Sequence, residues 1–342
     1  MAYLLSDNTT AVHPQIMAAL AAANEGHAKP YGGDDLTARL TVRLREVFEH
    51  ETLLAFPVFN GSASNCAALM SLVRPYESVI AHAHSHLEQS ECGMPEFFTG
   101  GKVLLADGSE GKIDPAAVAA LLQLVGGKGA NYPRPAALSL SQVTEAGTVY
   151  GTQEIQRLSA LIKGHGLHLH MDGARLANAV ASLGCTPAEI TWKAGVDVLS
   201  FGGTKNGALL AEAVVFFTPA LAADFIYIRK RAGQLASKQR YLSAQLLALL
   251  DNDLWLKNAA HANAMGDMLR KGLSALGLLY DLPTVANVTF ATFPPSRAAA
   301  LQRQGHLFHP WPLFGENVFR LVTSFATTPQ EIESFLTHCA AG

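Results

Sequence analysis

Leu53-Leu54-Ala55-Phe56-Pro57-Val58-Phe59-Asn60-Gly61-Ser62-Ala63-Ser64-Asn65-Cys66-Ala67-Ala68-Leu69-Met70-Ser71-Leu72-Val73 passes from a short apolar run through a turn of small residues into a helical pattern. Residues 53–59 are apolar without alternation, as expected of a strand covered on both faces. Cys66, Leu69, Met70 and Val73 then recur at i, i+3, i+4 and i+7, which predicts a helix with one buried face. Further apolar runs stand at 78–83, 102–106, 136–140, 167–171, 196–201 and 209–217, with helical patterns between most of them. Strand followed by helix, repeated, predicts an α/β fold built on a mostly parallel seven-stranded sheet with flanking helices.

Beyond this region the pattern changes. Residues 224–276 read as helical almost throughout, with Gly233, Gly266 and Gly272 expected to mark breaks. Residues 279–293 and 317–325 read as strands, and Thr328, Pro329 and Glu331 supply an N-cap, a first-turn proline and a capping box for a last helix. A large domain over 1–250, including the N-terminal segment, and a small C-terminal α+β domain over 251–342 are expected.

The chain has 342 residues, 49% hydrophobic and 15% charged, with a formal net charge of -3. This balance argues against disorder, coiled coil and charged tails. It offers no field to attract phosphate backbones or anionic lipid, so no nucleic-acid or membrane partner is expected. Small molecules and other copies of the chain are the expected partners. The first ten residues show no basic stretch followed by an apolar one, and no apolar run is long enough to span a bilayer, so a cytoplasmic setting is expected. Cys66, Cys92, Cys185 and Cys339 lie far apart and read as packing thiols rather than as a zinc ribbon or disulfide framework.

Lys205 stands alone in Ser200-Phe201-Gly202-Gly203-Thr204-Lys205-Asn206-Gly207, a glycine-rich turn between two apolar runs. A lysine held among small residues and partly desolvated loses its proton more easily and can form a Schiff base with a carbonyl; a surface hairpin lysine has the same sequence setting. His168-Leu169-His170-Met171-Asp172-Gly173-Ala174-Arg175 ends a strand on a carboxylate, where open α/β sheets bind ligands. Asp172 there can keep a pyridinium nitrogen protonated, with Arg175 reaching the same site, or it can simply cap a helix. Asn60-Gly61-Ser62 opens a helix whose free N–H groups suit a phosphate, although the Gly-Lys-Ser/Thr ending of a P-loop is missing.

The rival reading is a metal-dependent hydrolase. His82, His84 and His86 alternate at the end of a strand, which would put all three on one side, and His168 and His170 repeat the spacing. The aspartate of a His-x-His-x-Asp-His pattern is absent, so no metal is expected. A phosphate turn, a histidine able to stack, an aspartate and a lysine, in that order along one strand-helix domain, describe instead a site for pyridoxal 5'-phosphate, whose ring is an electron sink for carbanions.

Leu5-Ser6-Asp7-Asn8-Thr9, Tyr31-Gly32-Gly33-Asp34-Asp35, Asn60-Gly61-Ser62, His86 with Glu91 five residues on, the run 170–175, and Arg320 within Phe319-Arg320-Leu321-Val322-Thr323 resemble the threonine aldolase family, nearly end to end. That family is pyridoxal-phosphate-dependent and of fold type I, also called aspartate-aminotransferase-like. The resemblance implies that Lys205 is the Schiff-base lysine, that Asp172 partners the ring nitrogen, that His86 stacks on the ring, and that Gly61 and Ser62 hold the phosphate. It implies further that Arg175, Arg320, Ser6 and Tyr31 serve the substrate, and that Lys238 reaches the phosphate of a neighbouring copy in a homodimer paired into a tetramer. The implied reaction cleaves the Cα–Cβ bond of an L-β-hydroxy-α-amino acid, by default L-threonine or L-allo-threonine, with phenylserine-like substrates also allowed, to glycine and an aldehyde. β-Elimination or transamination is the alternative within the fold. Where many members carry a histidine, this chain reads Val143-Thr144-Glu145-Ala146-Gly147, so Glu145 is expected near the β-hydroxyl as general base, with His86 as the alternative.

Overall fold

The computed structural model describes residues 1–341. Strands β1 (Leu54–Val58), β2 (Glu77–His82), β3 (Lys102–Ala106), β4 (Arg134–Ser141), β5 (His168–Gly173), β6 (Val198–Gly202) and β7 (Glu212–Phe216) form one sheet in the order β1-β7-β6-β5-β4-β2-β3. From β3 to β6 neighbouring strands run parallel, while β7 lies antiparallel between β6 and β1. These are the seven apolar runs of the sequence. They lack alternation because both faces are covered: Ile80, Leu138 and Val215 enter one core cluster, and their chain neighbours Val79, Ala137 and Val214 enter another on the opposite face.

The helix Gly61–Leu72 departs from the one-sided burial expected of it. Residues 63–69 are all buried, because the helix is packed between the sheet and the helices Met94–Thr99 and Phe225–Arg231. Small residues along it permit that close approach, and its position sets Asn65 deep under the strand ends.

A second, antiparallel sheet of β8 (Val288–Thr292), β9 (His309–Pro310) and β10 (Val318–Val322) runs in the order β8-β10-β9. The expected strand over 279–293 is shorter than its apolar run: 281–287 leaves the sheet around Pro283, and only Leu279 still bridges to Ala291. The closing helix Pro329–Ala341 starts as expected, with the Glu331 N–H donating to Thr328 Oγ1 (3.3 Å) and the Thr328 N–H donating to Glu331 Oε2 (2.8 Å).

Of the three glycines expected as breaks, only Gly233 is one, at φ 73° between the helices Phe225–Arg231 and Arg240–Leu250. Gly266 and Gly272 lie inside the unbroken helix Leu254–Ala275. They are there for close packing: a Cβ at 266 would stand 2.8 Å from the Ala286 carbonyl oxygen, and one at 272 would run into the Leu336 side chain. The start of this helix packs Trp255 and Ala259 into the core of the large sheet, and its end packs Leu269 and Leu273 with Phe293, Phe335, Ala2 and Leu4. We propose a division near residue 250 into a large and a small domain, with this helix joining them. Among the described residues no helix is long and apolar enough to cross a membrane.

Candidate active site

The carboxyl ends of β2, β4, β5 and β6 converge on two adjoining clefts of about 340 and 240 Å3, which share Asn8, His86, Asp172, Ala174 and Lys205. The larger is lined also by Gly61, Ser62 and Asn65, the smaller by Ser6, Glu145, Arg175 and Arg320. This is where a doubly wound sheet leaves room, because the helices that follow each strand turn back along its faces.

Lys205 sits in the short 3-10 turn Thr204–Asn206 just past β6, half-buried rather than exposed as a hairpin lysine would be. The turn is anchored from β7, where Glu212 accepts from the N–H of Gly203 (2.6 Å) and of Thr204 (3.3 Å). Burial, assisted by the Arg175 charge, moves the Lys205 pKa below its ordinary value. Burial pushes Glu212 up to about 7.

Asp172, near the end of β5, is buried, and its carboxylate accepts from Asn65 Nδ2 (2.9 Å) and from the Ala174 N–H (3.0 Å). Burial alone would raise its pKa, but the charges of His86 and Lys205 and these hydrogen bonds outweigh it and hold the group ionised. Beneath it His170 is fully buried between Ser139 Oγ (2.8 Å) and Ser200 Oγ (3.1 Å), and burial lowers it to about 4, so it stays neutral. His86 pairs through Nδ1 with Glu91 Oε1 (2.9 Å), and that bond raises its pKa.

The helix Gly61–Leu72 begins with Asn60 as N-cap, its side chain accepting from the Ala63 N–H (2.9 Å). The capping interaction therefore exists, and it leaves the N–H groups of Gly61 and Ser62, two residues that line the cleft, with no acceptor among the described residues. Asn65 Oδ1 and Ser64 Oγ are likewise buried without a partner. Free donors at a helix N-terminus, an ionised buried carboxylate, an imidazole and an amine whose pKa burial lowers form one set, and that set fits the phosphate, ring nitrogen, ring face and aldehyde of pyridoxal 5'-phosphate.

On the other side of Asp172, Glu145 Oε1 accepts from the His86 N–H (2.7 Å) and from Ser141 Oγ (2.9 Å). Burial, with the Asp172 charge, raises the Glu145 pKa. Arg175 is committed to Asp7, donating from Nε (2.8 Å) and Nη2 (2.9 Å), an ion pair with its carboxylate buried and its guanidinium largely so. Burial would raise the Asp7 pKa; the charges of Arg175 and Lys205 lower it overall. Ser6 caps the turn that carries Asp7, accepting from the Asn8 N–H (3.2 Å). Arg320 enters from β10.

Two sequence-predicted residues do not line these clefts. Tyr31 is exposed, with Lys230 Nζ 4.9 Å from its ring centroid, and Lys238 is exposed one residue from Ser237, whose carbonyl accepts from the Tyr31 N–H (3.0 Å). The three alternating histidines do not share one side. His82 ends β2 and turns to the Gly108 carbonyl (3.2 Å), while His86 has passed into the next helix. Among the described residues no three His, Cys, Asp or Glu side chains are grouped to hold a metal ion. The site also uses Asp7, Asn8, Asn65, Glu212 and Trp311, which sequence reasoning left unassigned. Asp7 and Asn8 stand in a motif already quoted, whereas Asn65, Glu212 and Trp311 carry no sequence signal.

Residues 3–293 match the beta-eliminating lyase family. A low-specificity L-threonine aldolase from Pseudomonas aeruginosa is 44% identical over 329 residues, covering 96% of this chain and 94% of that protein. A threonine aldolase structure from Leishmania major has a TM-score of 0.93 at 30% identity and covers 98% of each chain. A serine palmitoyltransferase structure from S. paucimobilis, with PLP and myriocin bound, has a TM-score of 0.73 at 18% identity, covering 99% of this chain and 86% of that one; this likeness is one of fold.

Proposed function

The chain belongs to the beta-eliminating lyase family, and from that premise we infer that it is a pyridoxal-phosphate-dependent aldehyde-lyase of the low-specificity L-threonine aldolase type. It cleaves the Cα–Cβ bond of an L-β-hydroxy-α-amino acid to glycine and an aldehyde. The observation that carries the reading is the convergence of Lys205, Asp172, His86 and the free N–H groups of Gly61 and Ser62 on one cleft, with Glu145 and Arg320 on its neighbour.

When bound, pyridoxal 5'-phosphate supplies the electron sink for the carbanion that bond cleavage leaves. Gly61 and Ser62 hold the phosphate at the helix N-terminus, and His86, steadied by Glu91, covers the ring face. Asp172, kept ionised, holds a proton on the ring nitrogen. Lys205 supplies the amine, made more nucleophilic by burial. Arg320 and Ser6 take the substrate carboxylate, and Arg175 supports them through Asp7. Glu145 removes the proton from the β-hydroxyl.

Tyr31 and Lys238 belong to the same picture through a second copy: lying together on the outside of one chain, they complete the cleft of the next, in a dimer paired into a tetramer. Four free cysteines accord with a cytoplasmic setting. Borohydride reduction of the loaded protein followed by peptide mapping is expected to fix the cofactor on Lys205; a label elsewhere overturns that role. L-Threonine is expected to yield glycine and acetaldehyde, and 2-oxobutanoate with ammonia as the main products would mean elimination instead.

A further inference from the structure

Arg320 is held in an unusual way for a partly buried cation. β10 delivers it on the face that also carries Val318 and Val322, opposite Phe290 across the strand pair, so its side chain leaves an apolar cluster. Among the described residues its buried Nε has no partner and its guanidinium makes no ion pair. Burial, with Arg175 nearby, lowers its pKa to about 10, which leaves it charged at neutral pH. The contact that holds it is Trp311, whose ring centroid lies 4.5 Å from the guanidinium carbon.

Trp311 is itself tied to the same strand. Its backbone N–H donates to the Val318 carbonyl (2.7 Å), and its ring lies against Phe290 at 6.1 Å between centroids. Ring and guanidinium thus sit on β10 and on the segment hydrogen-bonded to it. An aromatic face attracts a guanidinium without using any of its N–H donors, whereas a carboxylate partner would occupy the fork. Arg175, whose Nε and Nη2 both go to Asp7, shows the second arrangement in the same cleft.

We propose that Trp311 is the positioning residue for Arg320, holding its guanidinium in the cleft with its donors unspent so that they are available to the carboxylate of the amino-acid substrate. The inference rests on the reading of Arg320 as the carboxylate partner. Trp311 acts through Arg320 and so governs how well a carboxylate is held more than how fast the bond is cleaved.

The test compares glycine with glycinamide, which lacks the carboxylate, by titrating the absorption of the cofactor-loaded protein. Trp311→Leu is expected to weaken glycine by about tenfold, between the scales of an exposed and a desolvated cation–π contact, and to leave glycinamide unmoved. For L-threonine KM should rise by more than kcat falls, and Trp311→Phe, which keeps an aromatic face, should restore most of the loss. Equal weakening of both ligands by Trp311→Leu, no weakening of either, or failure of Trp311→Phe to restore glycine binding overturns the proposal. Arg320→Ala separates the two levels. If it leaves glycine affinity intact, the carboxylate reading of Arg320 falls and the role of Trp311 with it. If it weakens glycine while Trp311→Leu does not, the role of Trp311 alone falls.

Discussion

Glu145 is gripped by the His86 N–H and the Ser141 hydroxyl, yet burial and the Asp172 charge raise its pKa, so its ionised form is held in place but kept basic. As the proton acceptor it works in the ionised form, and kcat is expected to fall as pH drops through that raised pKa. The stability contribution has the opposite sign. A carboxyl whose folded pKa is raised favours the folded state below its ordinary value of 4.5 and loses that contribution as pH rises past the folded value. Glu145→Gln is therefore expected to cut turnover by about 100-fold or more, to keep glycine binding, and to melt no lower than the parent apoprotein at neutral pH. Normal turnover would remove Glu145 from the reaction, and a lower melting point with poor cofactor retention would make it a structural group.

At the scale of the element, the helix Leu254–Ala275 shows a glycine acting through contact. Glycine to alanine inside a helix ordinarily gains about 1 kcal/mol. At Gly266 the added Cβ would stand 2.8 Å from the Ala286 carbonyl oxygen and 3.3 Å from Asn287 Cα, backbone atoms that cannot swing aside. Overpacking of this kind costs about 1–3 kcal/mol, so Gly266→Ala is expected to lower the urea midpoint. The displacement also bears on the site, since Asn287 Nδ2 donates to Asp7 Oδ2 (3.0 Å), the carboxylate that holds Arg175. A midpoint that rises would mean that the helix has room at 266 and that its glycine is there for another reason.

For the whole molecule, Tyr31 and Lys238 are exposed and neither reaches the clefts of its own chain, which supports the proposal that they serve a second copy. Light scattering is expected to give at least two chains per particle. Lys205→Ala and Lys238→Ala chains, each impaired alone, should recover activity when co-assembled, because one site of each mixed dimer then has both lysines intact. An active monomer, or no recovery in mixed particles, would return Lys238 to the surface of a self-sufficient chain.

The sheet was legible in the sequence because strands covered on both faces must be apolar throughout, and that condition marks all seven runs. Lys205, Asp172 and the turn at Gly61 were legible because a lone lysine among glycines, a carboxylate at a strand end and a helix opening each leave a local trace. Other features depended on which segments meet. The sequence pattern around Gly61–Leu72 pointed to one buried face, while packing covers the helix all round. Gly266 and Gly272 read as breaks because a helix interior normally excludes glycine, and only the approach of 286–287 and Leu336 explains them. The three histidines alternate in sequence, but the strand ends after the first, so the period of two no longer applies. Asn65, Glu212 and Trp311 join the site from a helix, a strand start and a loop of the small domain. Local residue patterns register contacts within one element, whereas Asn65 meets Asp172 from a distant helix and Glu212 and Trp311 meet the Gly203–Thr204 turn and Arg320 across a strand hairpin, so only the folded chain brings these partners together.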